Sequence, residues 1–150
     1  MTKIGDLLCD IFDDITRDAI KIGDVHMLVL DKTNGITPKD GEKDRNKFFV
    51  VLGFDKNGNI IGGVVINSKI NNKLPNVITD YQLPVSVEQC PFLKHNSYVN
   101  CSRLMVAERD KFNRTTYRGT IDQELIELII GTVRESPTVN KKLLENFGIL

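Results

Sequence analysis

The chain has 150 residues, 41% apolar and 27% charged, which suits one globular domain long enough to bury a core without staples. Its 20 Lys and Arg balance 20 Asp and Glu. That excludes a generally basic nucleic-acid surface and requires any such binding to rest on local clustering of charge.

Residues 1–20 read as a helix: Ile4, Leu7, Leu8, Ile11, Phe12 and Ile15 recur at helical spacing, with Asp6, Asp10, Asp13 and Asp14 on the other face. This alternation of apolar and acidic residues is not a signal peptide, and no apolar run reaches the length of a membrane span. A soluble, cytoplasmic protein with no membrane association is the expectation. Cys9, Cys90 and Cys101 form no CxxC pair, and His26 and His95 are far apart in sequence. Reduced thiols are expected, with no metal site, no cofactor and no disulfide framework.

The pattern then changes. Asp24–Asp31 (DVHMLVLD) is short, apolar and β-branched, a strand. A long loop covers 32–46, with Asn34-Gly35, Pro38 and Asp40-Gly41 as its turn signals. Strands at 47–54 and 60–67 flank Asn57-Gly58, a strong short-range hairpin signal. Gly62-Gly63 inside the second of these suggests a bulge or sharp bend. Segment 68–76 is loop. Segment 77–86 holds an edge strand limited by Pro84, and 87–96 is irregular.

Segment 97–110 reads as one strand-like stretch, followed by a basic, polar loop at 109–119. Thr120 and Gln123 have capping-box spacing and open a helix whose apolar face is Ile121, Leu125, Leu128, Ile129 and Val133. Pro137 separates it from a short closing helix stopped by Gly148. Short antiparallel strands with helices segregated to the ends imply an α+β fold around a small β-barrel. It is a single domain over 1–150, with an N-terminal helix at 1–20, the barrel at 21–119 and C-terminal helices at 120–150.

Several of these stretches, in this order, resemble the MazF/PemK toxin family. IKIGDVHMLVLD is similar to the family's opening strand, NKFFVVLG to its RPxLVLS strand, and IIGGVVINSK to the strand ending in PITS. FLKHNSYVNCSRLMVAERD resembles its GLxxxSxVxxDxIxTID region, and GTIDQELIELIIGTV its closing helix. The resemblance covers roughly Lys21 to Val133. It implies an SH3-like antiparallel barrel and metal-independent, sequence-selective cleavage of single-stranded RNA. It also implies a homodimer silenced by an antitoxin protein.

Cleavage of that kind uses the ribose 2′-OH as nucleophile and needs proton carriers and cationic stabilisation of the transition state. The resemblance puts Lys47 at the family's arginine, with Arg45 two residues earlier. Asn67 stands at its threonine, Ser68 at the following serine and Asn100 near its acidic position. Lysine cannot make a bidentate phosphate fork, and an amide cannot act as a base. The candidate catalytic set is Arg45, Lys47, Asn67, Ser68 and His95, the last because a loop imidazole titrates in the useful range.

Candidate RNA contacts are Lys43, Lys69, Asn100, Arg103, Arg114 and Tyr117. The last two lie in a loop where basic and aromatic residues interleave, a composition suited to phosphates and unpaired bases. The bland readings are solvated charges at 43–47, turn formers at 67–68, a satisfied structural histidine at His26 and a packing thiol at Cys101. The departures at catalytic positions leave open a non-catalytic RNA- or protein-binding barrel, or a structural accessory protein docking through its first helix. The expected groove lies between the 35–47 loop and the strand end at Asn67–Ser68.

Overall fold

The structure is a computed structural model and describes residues 20–36 and 41–150. The helix expected over residues 1–20 lies, but for Ile20, outside the described part.

Strand β1 spans Asp24–Asp31 as its composition predicts. It ends in a single tight turn, where the Asp31 carboxylate accepts from the Thr33 backbone N–H at 2.8 Å and Gly35 takes φ +103°. Strand β2 spans Asp44–Phe54 and so begins three residues before the predicted start. The correction has a tertiary cause. Asp44, Arg45 and Asn46 pair with Asp31, Leu30 and Val29, so the β1 ladder holds as strand a polar run that reads locally as loop.

The hairpin to β3 (Ile60–Asn67) forms around Gly58 at φ +70°, and Asp55 Oδ1 accepts from the Asn59 and Ile60 amides. The irregularity signalled by Gly62-Gly63 is a bulge in the opposite strand, between Val51 and Gly53. The glycine at 63 serves close approach. A Cβ there would lie 2.0 Å from the Val50 carbonyl oxygen and 2.6 Å from the Phe49 ring.

A four-residue helix, α1 (Asn76–Thr79), leads into β4 (Gln82–Val85), an edge strand as Pro84 requires. The stretch expected as one strand at 97–110 is two, β5 (Ser97–Asn100) and β6 (Met105–Glu108). Both pair with β3, β5 beside Ile66–Asn67 and β6 beside Ile60–Gly63, so the chain must turn between them. The basic loop also contains a strand at its end, β7 (Tyr117–Thr120), which pairs with β1.

Because Thr120 belongs to that strand, helix α2 (Gln123–Glu135) is capped by Asp122, whose carboxylate accepts from Leu125 N–H at 2.8 Å. Helix α3 spans Lys141–Asn146, capped by Asn140, and Gly148 follows at φ +70°.

The result is one seven-stranded antiparallel sheet in the order β4-β5-β3-β2-β1-β7, with β6 beside β3. The ladder is not closed into a barrel among the described residues. Alternation along β2 and β3 splits the core. Val50, Leu52, Val64 and Ile66 face α2 and α3, packing with Leu125, Ile126, Ile129, Val133, Leu144 and Phe147. Ile126 takes the place expected of Leu128, which is 51% exposed.

Phe49, Val51, Ile61 and Val65 face the other way and share a cluster with Leu28 and Leu30 of β1, Met105 and Ala107 of β6, and Phe112. Strands β1 and β6 lie on opposite sides of the β2–β3 pair, so this face is concave. Asn34, just after β1, bridges the gap by donating to the Val106 carbonyl of β6 at 2.9 Å. Among the described residues no helix is long and apolar enough to cross a membrane.

Candidate functional site

The concave face becomes polar where β2 and β3 run past their apolar segments. Arg45 and Lys47 precede Phe49 on β2 at strand period, so they share its face. Asn67 ends β3 one step beyond the Phe48–Ile66 pair, which brings it opposite Lys47. The Lys47 ammonium donates to Asn67 Oδ1 at 2.5 Å. Residues of segment 68–79 lie against these side chains.

Together they enclose a cleft of about 310 Å³, lined by Arg45, Lys47, Asn67, Ser68, Lys69 and Asn100 among others. Six residues singled out from the sequence therefore meet in one place. Arg45 and Lys47 of the expected 35–47 segment and Asn67 and Ser68 of the expected strand end all line the cleft, and so do residues the sequence did not mark, including Asn71, Leu74, Thr79 and Gln82. Gln82 reaches the site only because β4 pairs with β5, opposite Asn100. Its amide donates to Asn100 Oδ1 at 2.8 Å, and that oxygen also accepts from the Ser102 hydroxyl at 2.5 Å. Asn100 is thus a held amide.

The electrostatic character follows from the lining. Three cationic side chains, Arg45, Lys47 and Lys69, meet amides and hydroxyls, and no described carboxylate or imidazole lines the cleft. In a partly enclosed site such charges act less screened than in open water. A neutral chain thereby acquires a local cluster of cationic side chains. No described group of His, Cys, Asp and Glu is arranged to hold a metal ion.

The other candidates lie elsewhere. Lys43 is exposed just before β2. His95 is exposed on the 87–96 segment, its Nδ1 3.1 Å from the Asn96 carbonyl oxygen, and is not among the cleft's lining residues. Arg103 lies beside Gly35, within 3.4 Å of the position a Cβ would take there.

Arg114 and Tyr117 line a second pocket of about 360 Å³ at the β1–β7 edge, together with Asp24, His26 and Thr120. His26 departs from the satisfied structural histidine expected. Its Nδ1 is 2.8 Å from Thr116 Oγ1, but Nε2 is buried with no partner. Burial holds its pKa below the ordinary value, opposed by Asp24 and reinforced by Arg118.

Cys90 and Cys101 pack in the core, as read for Cys101, and both are free. Burial pushes the Cys101 thiol up to about 12; burial with nearby Asp122 pushes Cys90 up to about 11.

No protein-family model and no curated protein matches the chain.

Proposed function

We propose that this protein is a MazF/PemK-like RNA-binding protein whose cleft holds a phosphodiester of single-stranded RNA. The single observation that carries the reading is the meeting of Arg45, Lys47 and Lys69 with Asn67 and Ser68 in one cleft. Arginine and lysine neutralise phosphate charge, and amide and hydroxyl donors orient its oxygens. The concave sheet whose β1 and β6 share one apolar cluster supports an SH3-like barrel as its architecture.

Metal-independent cleavage is the activity the resemblance attaches to such a cleft. In it the 2′-oxygen attacks the phosphorus, the P–O5′ bond breaks, and a 2′,3′-cyclic phosphate forms. Arg45 and Lys47 would stabilise the charge that develops on the phosphoryl oxygens. One observation favours the non-catalytic reading. The cleft lining lacks both an imidazole and a carboxylate, so no ordinary general base stands among the described residues there. RNA binding is therefore the conclusion, and cleavage is the activity to be tested. An antitoxin partner and a homodimer in the cytoplasm belong to the same proposal.

The test uses a mixed-sequence single-stranded RNA in EDTA with the protein in excess. Retention of RNA that is lost in Arg45→Ala and Lys47→Ala supports the reading, and absence of any retention overturns it. Products ending in 2′,3′-cyclic phosphate would establish cleavage. Intact RNA bound by the wild type would establish the binding module.

A further inference from the structure

Besides its cations, the cleft is lined by two amides, Gln82 and Asn100. Their strand neighbours Leu83 and Val99 pack with the helix-side cluster, so Gln82 and Asn100 face the concave side. Backbone groups fix which way each amide is turned. Asn100 Oδ1 accepts from the Ser102 backbone N–H at 3.1 Å; an N–H only donates, so the atom turned to it is the oxygen. Gln82 Nε2 donates to the Ile78 carbonyl at 3.1 Å; a carbonyl only accepts, so the atom turned to it is the nitrogen.

The second Gln82 amide hydrogen goes to Asn100 Oδ1 at 2.8 Å, so both are committed. Asn100 Oδ1 takes that bond together with the Ser102 N–H and the Ser102 hydroxyl. Ser102 is itself buried, and its carbonyl accepts from the Thr138 hydroxyl, which anchors the pair to the core. What remains is one acceptor, Gln82 Oε1, and one donor group, Asn100 Nδ2. Neither has a protein partner among the described residues, and neither is sealed from solvent. An acceptor and a donor thus stand in a fixed order on neighbouring strands.

We infer, on the phosphodiester reading of the cleft, that Gln82 and Asn100 select the base beside that phosphate and separate amino bases from keto bases. Strand β3 stands between β2 and β5, so about two strand spacings, roughly 10 Å, separate the backbones that carry the cations and Asn100. A nucleotide spans a comparable length from its phosphorus to the pairing edge of its base. Cytosine and adenine set an exocyclic amino donor beside a ring-nitrogen acceptor. Uracil and guanine set an exocyclic carbonyl acceptor beside a ring N–H donor. The fixed order of Oε1 and Nδ2 matches one of these arrangements and opposes the other, donor to donor and acceptor to acceptor. A site that leaves its own polar groups unpaired against the wrong edge rejects it. Ile70, Leu74 and Ile78 add apolar side chains to the lining for the ring faces. Unpaired bases are commonly read through this edge.

The experiment uses the full chain with oligocytidylate and oligouridylate of one length, whose bases differ only in this donor and acceptor order. Fluorescence anisotropy at one salt concentration should separate their affinities by about tenfold or more. Asn100→Asp keeps an oxygen for Ser102 and Gln82 and turns the open donor into an acceptor. Its negative charge weakens both oligomers, but the ratio of their affinities should fall about fivefold or more, or invert. Gln82→Met keeps the length of the side chain and removes the open acceptor. It lies on an edge strand and keeps the test decisive if the first variant does not fold; the ratio should again fall about fivefold or more.

Lys69→Ala should weaken both oligomers and leave their ratio unchanged, because a phosphate contact carries no base information. Equal affinities of the wild type for the two oligomers, or a ratio unchanged in both amide variants, overturns the inference and leaves the phosphodiester reading standing. Binding of neither oligomer overturns that reading and the inference with it.

Discussion

Replacing Arg45 with Ala tests the cleft through the salt dependence of RNA binding. Arg45 lies on β2 opposite Leu30, next to Lys47 on the same face, and exposes its guanidinium to the cleft with Lys69 as the third cation. Each lysine or arginine that neutralises a phosphate of single-stranded nucleic acid releases counterions, giving a slope of about −0.7 in log K against log salt. Three such contacts give a slope of about −2.1, so the wild type should lose about 18-fold in affinity between about 50 and 200 mM salt. Arg45→Ala should leave a slope of about −1.4 and a loss of about 7-fold, and Arg45→Ala with Lys47→Ala a slope of about −0.7. The assay is fluorescence anisotropy of a labelled single-stranded RNA in EDTA over a salt series. Arg103→Ala, outside the cleft, serves as the control and should keep the wild-type slope. A slope unchanged by Arg45→Ala, or lowered equally by Arg103→Ala, would refute the assignment of the phosphate to this cleft.

Four further outcomes follow from the fold. Gly63→Ala forces a Cβ against the Val50 carbonyl oxygen and the Phe49 ring and should lower stability by about 1–3 kcal/mol or more, read by urea unfolding. Asp122→Ala removes the cap of α2 and should cost about 1 kcal/mol. Thr120→Ala, by contrast, should not unwind the helix start, which circular dichroism can compare. His26 has a folded pKa below its ordinary 6.5, so the unfolded chain binds more protons in the window between the two values. Its contribution to stability is complete above pH 6.5 and lost as pH falls through the folded value; unfolding in an acid series should show this slope, and His26→Phe should flatten it. Cys90 and Cys101, with thiols at about 11 and about 12, should resist iodoacetamide in the native state near pH 8 and react once denatured, as peptide mapping will show.

What the sequence by itself determined is local in origin. The short apolar, β-branched run Asp24–Asp31, the strand Ile60–Asn67, the Asn57-Gly58 turn and the Gly148 stop matched the structure because each depends on neighbours along the chain. Arg45, Lys47, Asn67 and Ser68 were marked by the family resemblance, and their meeting in one cleft with Lys69 has a local cause. They sit at the ends of two strands joined by a short hairpin, and hairpin register follows from the turn.

The rest was decided by tertiary structure. Asp44–Asn46 became strand through β1, Tyr117–Thr120 became strand through the same partner's other edge, and 97–110 split in two because β3 offers two separate pairing stretches. Gln82 entered the cleft by pairing opposite Asn100, and His26 lost a partner for Nε2 through packing against Phe112 and Tyr117. A hydrogen-bond ladder between distant segments stabilises residues whose own propensity is for loop, and no single stretch of sequence contains the partner that does it.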